Sequence, residues 1–210
     1  MKFVPMIAAI LTAFTVSATG QANEAHRIAV SQRTGSLSWY CKNNDSHDPP
    51  VLPSEFSFIS ECDGYYLDSK ASDDDRVIYL TFDAGYENGN IERILDVLKK
   101  HEAKGAFFVL GNLIRRNTDL VKRMIDEGHL VCNHTEHHHD MSRVTDFEAF
   151  RCELNALATT LKECCGVEPA PFYRPPEGKF SQENLVFAKN VGIKRYSGAL
   201  RMRIGITISN

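Results

Sequence analysis

A chain of 210 residues with 43% apolar residues buries a core of useful size, and most naturally forms one domain with a small appendage. Its 24 basic and 27 acidic residues are interspersed and sum to a net charge of −3, so nothing points to nucleic acid and none is expected as a partner. The ligand has to be argued from clusters of side chains.

In chain order, residues 1–22 have the pattern of an export signal. Met1 and Lys2 form a short positive start, Phe3 to Val16 an apolar stretch, and Ala18, Gly20 and Ala22 are small residues suited to flank a cleavage site. A membrane span needs about 20 apolar residues and this stretch is shorter, so an uncleaved anchor is the alternative. No second apolar run of spanning length follows. The expectation is a secreted or cell-wall protein, with no membrane span after the signal segment.

Residues 23–75 are rich in Ser, Asp, Asn and Pro and read as an irregular extension that wraps or tethers a domain. Trp39, Tyr40, Tyr65 and Tyr66 pin it by burying aromatic area, or else stand exposed to stack on sugars. Six cysteines, at 41, 62, 132, 152, 164 and 165, suit an oxidising compartment without forming a regular framework. Cys41 with Cys62 is the pairing to test first, and Cys132 reads as a small core residue.

From residue 76 strands alternate with helices. The expected strands are Val77–Phe82, Gly105–Leu110, His129–Cys132 and Phe172–Tyr173. The expected helices are Ile91–His101, Asp119–Glu127, Phe147–Cys164 and Gln182–Asn190, and Phe150, Leu154, Leu157 and Leu161 form a core-facing stripe on the longest of them. The alternation predicts a parallel α/β arrangement, either an open sheet or a barrel. In both, residues that follow the strands gather at one end of the sheet. Asp83, the cluster Asn133 to Asp140, and Arg174 each follow a strand, so they are expected to meet.

His134 and His138 lie four apart; in one helical turn both imidazoles share a face and can hold a divalent cation. The bland alternative is a solvated polar loop. His137 and His139 are expected to face elsewhere. Two imidazoles leave positions for water and a substrate carbonyl, and a nearby carboxylate can accept the water's proton. Asp83 fits that base role. Arg174 fits the role of holding Asp83 in place and ionised, although a structural salt bridge would look the same.

These stretches carry a family resemblance. Thr81-Phe82-Asp83, His134-Thr135 followed by His138, and Arg174-Pro175-Pro176-Glu177-Gly178 resemble the first three motifs of the polysaccharide deacetylase (NodB-homology) family. Leu80 to Gly89, Ile94 to Lys100, Val121 to Met124 and Phe172 to Ser181 are similar, more narrowly, to its delta-lactam-biosynthetic de-N-acetylase branch. The resemblance runs from about Leu37 to about Ile193. It implies a distorted (β/α) barrel, incomplete at its C-terminal end. It implies a hydrolase that removes the N-acetyl group from N-acetylmuramic acid of a peptidoglycan glycan strand, toward the muramic lactam of the spore cortex. Carried over by position, Asp83 is the catalytic base, Arg174 orients it, and His134 and His138 bind a divalent metal, zinc by expectation.

Two departures accompany the match. Where the wider family has a metal-binding Asp after the base, this chain has Ala84, which cannot ligate; the lactam branch tends to replace that Asp too. Beyond residue 194 the family's Trp-and-Asp strand and the His that serves as general acid are not matched. The expectation is a frameshifted or truncated product whose tail, 195–210, is aberrant, and the coding DNA tests it. Missing strands would uncover a parallel sheet edge, and a missing acid would typically cost about 10²–10⁴-fold in rate. The expected organisation is a signal peptide at 1–22, the extension at 23–75 and an incomplete deacetylase domain at 76–194. The alternatives are a deacetylase of chitooligosaccharide or xylan, or a catalytically dead wall-binding remnant.

Overall fold

The structure, a computed structural model, describes residues 35–38, 52–64 and 79–191. The signal segment, the tail 195–210, Trp39, Tyr40, Tyr65 and Tyr66 lie outside the described residues. So does Cys41, and with it the proposed partner of Cys62. Cys62, Cys132, Cys152, Cys164 and Cys165 form no disulfide with one another. Among the described residues no helix is long and apolar enough to cross a membrane.

In chain order the elements are β1 (Leu37–Ser38), α1 (Phe58–Glu61), β2 (Leu80–Ala84), α2 (Asn90–Lys100), β3 (Gly105–Val109), α3 (Gly111–Arg116) and α4 (Thr118–Asp126). Then come β4 (Leu130–Asn133), α5 (Phe147–Cys165), β5 (Ala170–Tyr173), β6 (Lys179–Phe180) and α6 (Gln182–Asn190). Strands β2, β3, β4 and β5 are parallel neighbours in sequence order. A doubly wound sheet reverses its order at a switch point, whereas a (β/α) barrel adds each strand beside the last. The four described strands follow the barrel's rule.

Local sequence sets the helix limits. Asp146 starts α5 by accepting the Ala149 N–H at 2.7 Å, and Gly166, at φ 77°, ends it in the left-handed region that glycine adopts without cost. Ser181 caps α6 through the Asn184 N–H at 3.1 Å. The buried faces of the helices then close over one side of the sheet: Leu95 and Leu98 of α2, Leu113 and Ile114 of α3, and Leu157 and Leu161 of α5 pack with Phe107 and Val109 of β3. Each such side chain contributes about 1.5–3 kcal/mol when fully buried. Helix α3 was not among the expected elements, because Leu113 and Ile114 follow the apolar β3 so closely that they extend its pattern.

The described parts of the N-terminal extension do pack on the sheet domain. Leu37 pairs in register with Phe180 in the β1–β6 ribbon, and Phe56, Phe58, Ile59 and Cys62 form a second cluster with Phe180 and Leu185. Phe56 meets Phe180 edge-on at 5.6 Å between ring centroids.

His129 joins two strands in a way that depends on pH. The Gly105 N–H donates to its Nδ1 at 3.2 Å, so the ring must be neutral at that nitrogen. Burial, and secondarily the Lys104 charge, holds the His129 pKa below its ordinary value of 6.5. The unfolded chain therefore takes up this proton first, and the stabilisation present above about pH 6.5 is lost as pH falls. The urea midpoint is expected to drop between pH 7.5 and 5.5, and to drop less in His129→Gln. Equal slopes in the two proteins would exclude His129 as the source.

Candidate active site

Asp83 is the penultimate residue of β2, with half of its side chain exposed at the carboxyl edge of the sheet. Arg174, just past β5, donates from Nη1 to Asp83 Oδ1 at 2.7 Å and from Nη2 to Thr81 Oγ1 at 2.9 Å. The guanidinium also lies 4.1 Å over the ring of Phe108, the residue paired with Asp83 across β2 and β3. An aromatic face and two acceptors together fix a planar, always-charged group, which in turn fixes one carboxylate oxygen. Arg174→Lys keeps the charge but loses the fork and the stacking. It is expected to reduce kcat by about 10²-fold through misplacement of Asp83, with a small change in KM. Steady-state kinetics of the parent and the variant check this.

The histidine segment is not the helical turn expected from its spacing. Residues 134–140 form a loop in which Thr135 (φ 76°) and His138 (φ 61°) both occupy the left-handed region. For a β-branched threonine this is a true outlier, and such residues cost on the order of 1–3 kcal/mol and persist only where their surroundings over-determine them. Here the surroundings do so. Asn133 Oδ1 accepts the Thr135 N–H at 2.9 Å while Asn133 Nδ2 donates to Leu154 O, also at 2.9 Å, and Thr135 Oγ1 accepts the His138 N–H at 3.0 Å. The loop brings the His134 and His138 rings edge-to-face, 5.2 Å apart. Same-side imidazoles are thus reached by a different backbone from the one their spacing suggests.

His134 is buried, and its Nδ1 lies 2.8 Å from Arg174 O. A carbonyl can only accept, so Nδ1 carries the proton and Nε2 keeps its lone pair. Burial lowers the His134 pKa, against the opposing influence of the Asp83 charge, and so favours the neutral ring. A neutral imidazole whose other nitrogen is held by a backbone carbonyl is the usual form of a metal-binding histidine. With the His138 ring beside it, the loop offers two imidazoles, a donor type that fits a divalent transition cation.

The third family position adds nothing to the donor set, since Ala84 is buried in the core. Glu87 and Asn88 accept the N–H groups of Gly89 and Asn90 and so serve the turn into α2. Burial pushes the Cys132 thiol up to about 12, which makes it the inert core residue expected. Thr81, Phe108 and Asn133 support the site without having been assigned a part from the sequence. Thr81 and Asn133 stood within the quoted motifs, but only the fold shows what their side chains touch.

A family model described as polysaccharide deacetylase matches residues 70–196, and the chain belongs to that family. The deacetylases of this family are metal-dependent in general. Peptidoglycan-N-acetylmuramic acid deacetylase PdaA of Bacillus subtilis is 38% identical over 157 residues, covering 74% of this chain and 58% of that protein. The solved structure of Bacillus subtilis PdaA, described as a family 4 carbohydrate esterase, superimposes with a TM-score of 0.70 at 36% identity, covering 76% of this chain and 67% of that one. A chitooligosaccharide deacetylase of Rhizobium leguminosarum bv. trifolii is 43% identical over 96 residues, 46% of this chain and 44% of its own length. The chain spans 58% of the length of the curated relatives that it matches over about three quarters of its own.

Proposed function

We infer that this chain belongs to an extracytoplasmic N-deacetylase that removes acetyl groups from N-acetylmuramic acid in peptidoglycan, with residues 76–194 as its deacetylase domain and 1–22 as its export signal. The observation that carries the chemistry is the junction at Arg174. Its side chain holds Asp83, and its carbonyl oxygen holds His134, so base and imidazole are set by one residue. The N-acetylmuramic acid substrate rests on the PdaA likeness, which covers more of the chain than the chitooligosaccharide deacetylase match.

Asp83 is the base. Its free carboxylate oxygen accepts the proton of a water that attacks the acetyl carbonyl carbon, while Arg174 keeps the other oxygen and the orientation fixed. His134 and His138 hold the divalent cation, zinc by preference. When bound, that cation supplies the charge that lowers the pKa of water and polarises a carbonyl. The half-exposed position of Asp83 at the sheet edge suits a substrate that is a strand of glycan rather than a small molecule enclosed in a cavity. A role in spore cortex formation is part of the same reading, and it rests on the resemblance of Leu80 to Gly89 and Phe172 to Ser181 to the lactam-forming branch.

Acetate release is to be measured on three glycans: peptidoglycan bearing N-acetylmuramic acid, chitooligosaccharide and acetylated xylan. Preference for the first supports the reading. Preference for chitooligosaccharide would move the chain to the second class, which the Rhizobium likeness favours.

A further inference from the structure

The loop that presents His134 and His138 carries a second group of ligands on its outer side. His137 and His139 are exposed, with their rings stacked 5.3 Å apart at an interplanar angle of 16°. Glu153, on α5, faces them. Its Oε1 accepts the His137 N–H at 2.7 Å and its Oε2 lies 2.9 Å from His137 Nδ1. One ligand atom from each of the three side chains lies within 4.8 Å of the others. We propose that His137, His139 and Glu153 form a second divalent transition-metal site, separate from the His134–His138 pair, which clips the active-site loop to α5.

Three observations converge on this. The donor set is two imidazoles and one carboxylate, which suits zinc, copper or nickel and not magnesium or calcium, whose preference is for oxygen. The ligand atoms are already close enough for small side-chain rotations to bring all three onto one ion. One ligand is pre-positioned as well, because Glu153 grips both the main chain and the ring of His137. The left-handed residue between the two histidines, His138, separates the ligand sets: His138 meets His134, while His137 and His139 meet each other.

Binding here would tie residues sixteen apart in sequence across the loop and helix. The cation would hold a loop that contains two left-handed non-glycine residues and that presents both inner histidines. This gives the site a structural part to play, independent of whether the inner pair acts on muramic acid.

The test is a ZnCl₂ titration of the metal-free chain against a chromophoric chelator. H137Q/H139Q is expected to bind one Zn²⁺ fewer per chain than the parent, and E153Q to bind the same ion more weakly. H134Q/H138Q is expected to retain it. Unchanged stoichiometry and affinity in H137Q/H139Q would overturn the proposal. Loss of no ion in H134Q/H138Q would count against the inner pair's metal and support the outer site as the one occupied. Because a variant that fails to fold also fails to bind, the parent is read as well. Zn²⁺ is expected to protect both His137 and His139 from carbethoxylation, read by peptide mass spectrometry, and to raise Tm with concentration, whereas Mg²⁺ does neither. Equal labelling of both residues with and without Zn²⁺ would also overturn it.

Discussion

Asp83→Asn is expected to slow acetate release from N-acetylmuramyl glycan by about 10²–10⁴-fold, the usual worth of a positioned general base. The substitution is close to isosteric. An asparagine oxygen can still accept from Arg174 Nη1, so the guanidinium remains over Phe108 and the loop geometry survives. What is lost is the charge and basicity needed to take a proton from water. The effect should appear in kcat, because an amide in this half-exposed position leaves substrate contacts nearly unchanged. Stability should change little, since the partner carboxylate is half in solvent, where ion pairs contribute little. Glycan turnover at the parental rate would remove Asp83 from the base role and leave the Arg174 pair as a strut.

Phe108→Ala is expected to destabilise the fold by about 3–5 kcal/mol, the range for truncating a fully buried aromatic. It should also impair catalysis beyond what instability explains, because Phe108 is the platform under Arg174. Phe107 supplies the control. It is equally buried, on the opposite face of β3, stacked on Phe82 at 4.8 Å and edge-on to His129 at 5.4 Å. Phe107→Ala should cost a similar amount in urea denaturation yet leave the kcat of the folded fraction closer to parental. If both variants show the same kcat, measured well below their unfolding midpoints, the platform role of Phe108 is wrong and the ring is core alone.

Much of this molecule was legible in its residues. Helix α6 has the limits predicted, and α5 extends one residue beyond the expected Cys164. In both cases a side-chain cap is encoded locally, and α5 carries a regular apolar stripe as well. The convergence of Asp83, the histidine cluster and Arg174 was legible too, because a parallel sheet leaves little choice about where strand ends go. The conformation of residues 134–140 was not. Histidine spacing of four suggests a helix, and nothing in a Thr-Glu-His-His string announces two left-handed residues imposed by Asn133 and Thr135. The pairing of Leu37 with Phe180 was equally hidden, since a two-residue ribbon has no period to detect. His137 and His139 were expected to face away from the inner pair, and they do; that they face Glu153 requires knowing where α5 lies.

The main chain crosses from strand end to strand end at this edge. The Leu110 N–H donates to Ala84 O at 3.1 Å, His134 N–H to Val109 O at 3.1 Å, and Arg174 N–H to Asn133 O at 3.0 Å. Asp83 and Arg174, 91 residues apart, are therefore brought together only after every intervening strand has found its neighbour. Contacts of such long range close late in folding. The helices can form piecemeal, but the Asp83–Arg174 pair exists only once the segment carrying Arg174 has joined the sheet. The pair thus reports the integrity of all four described parallel strands, and a partly folded intermediate that lacks β5 in the sheet would lack it altogether.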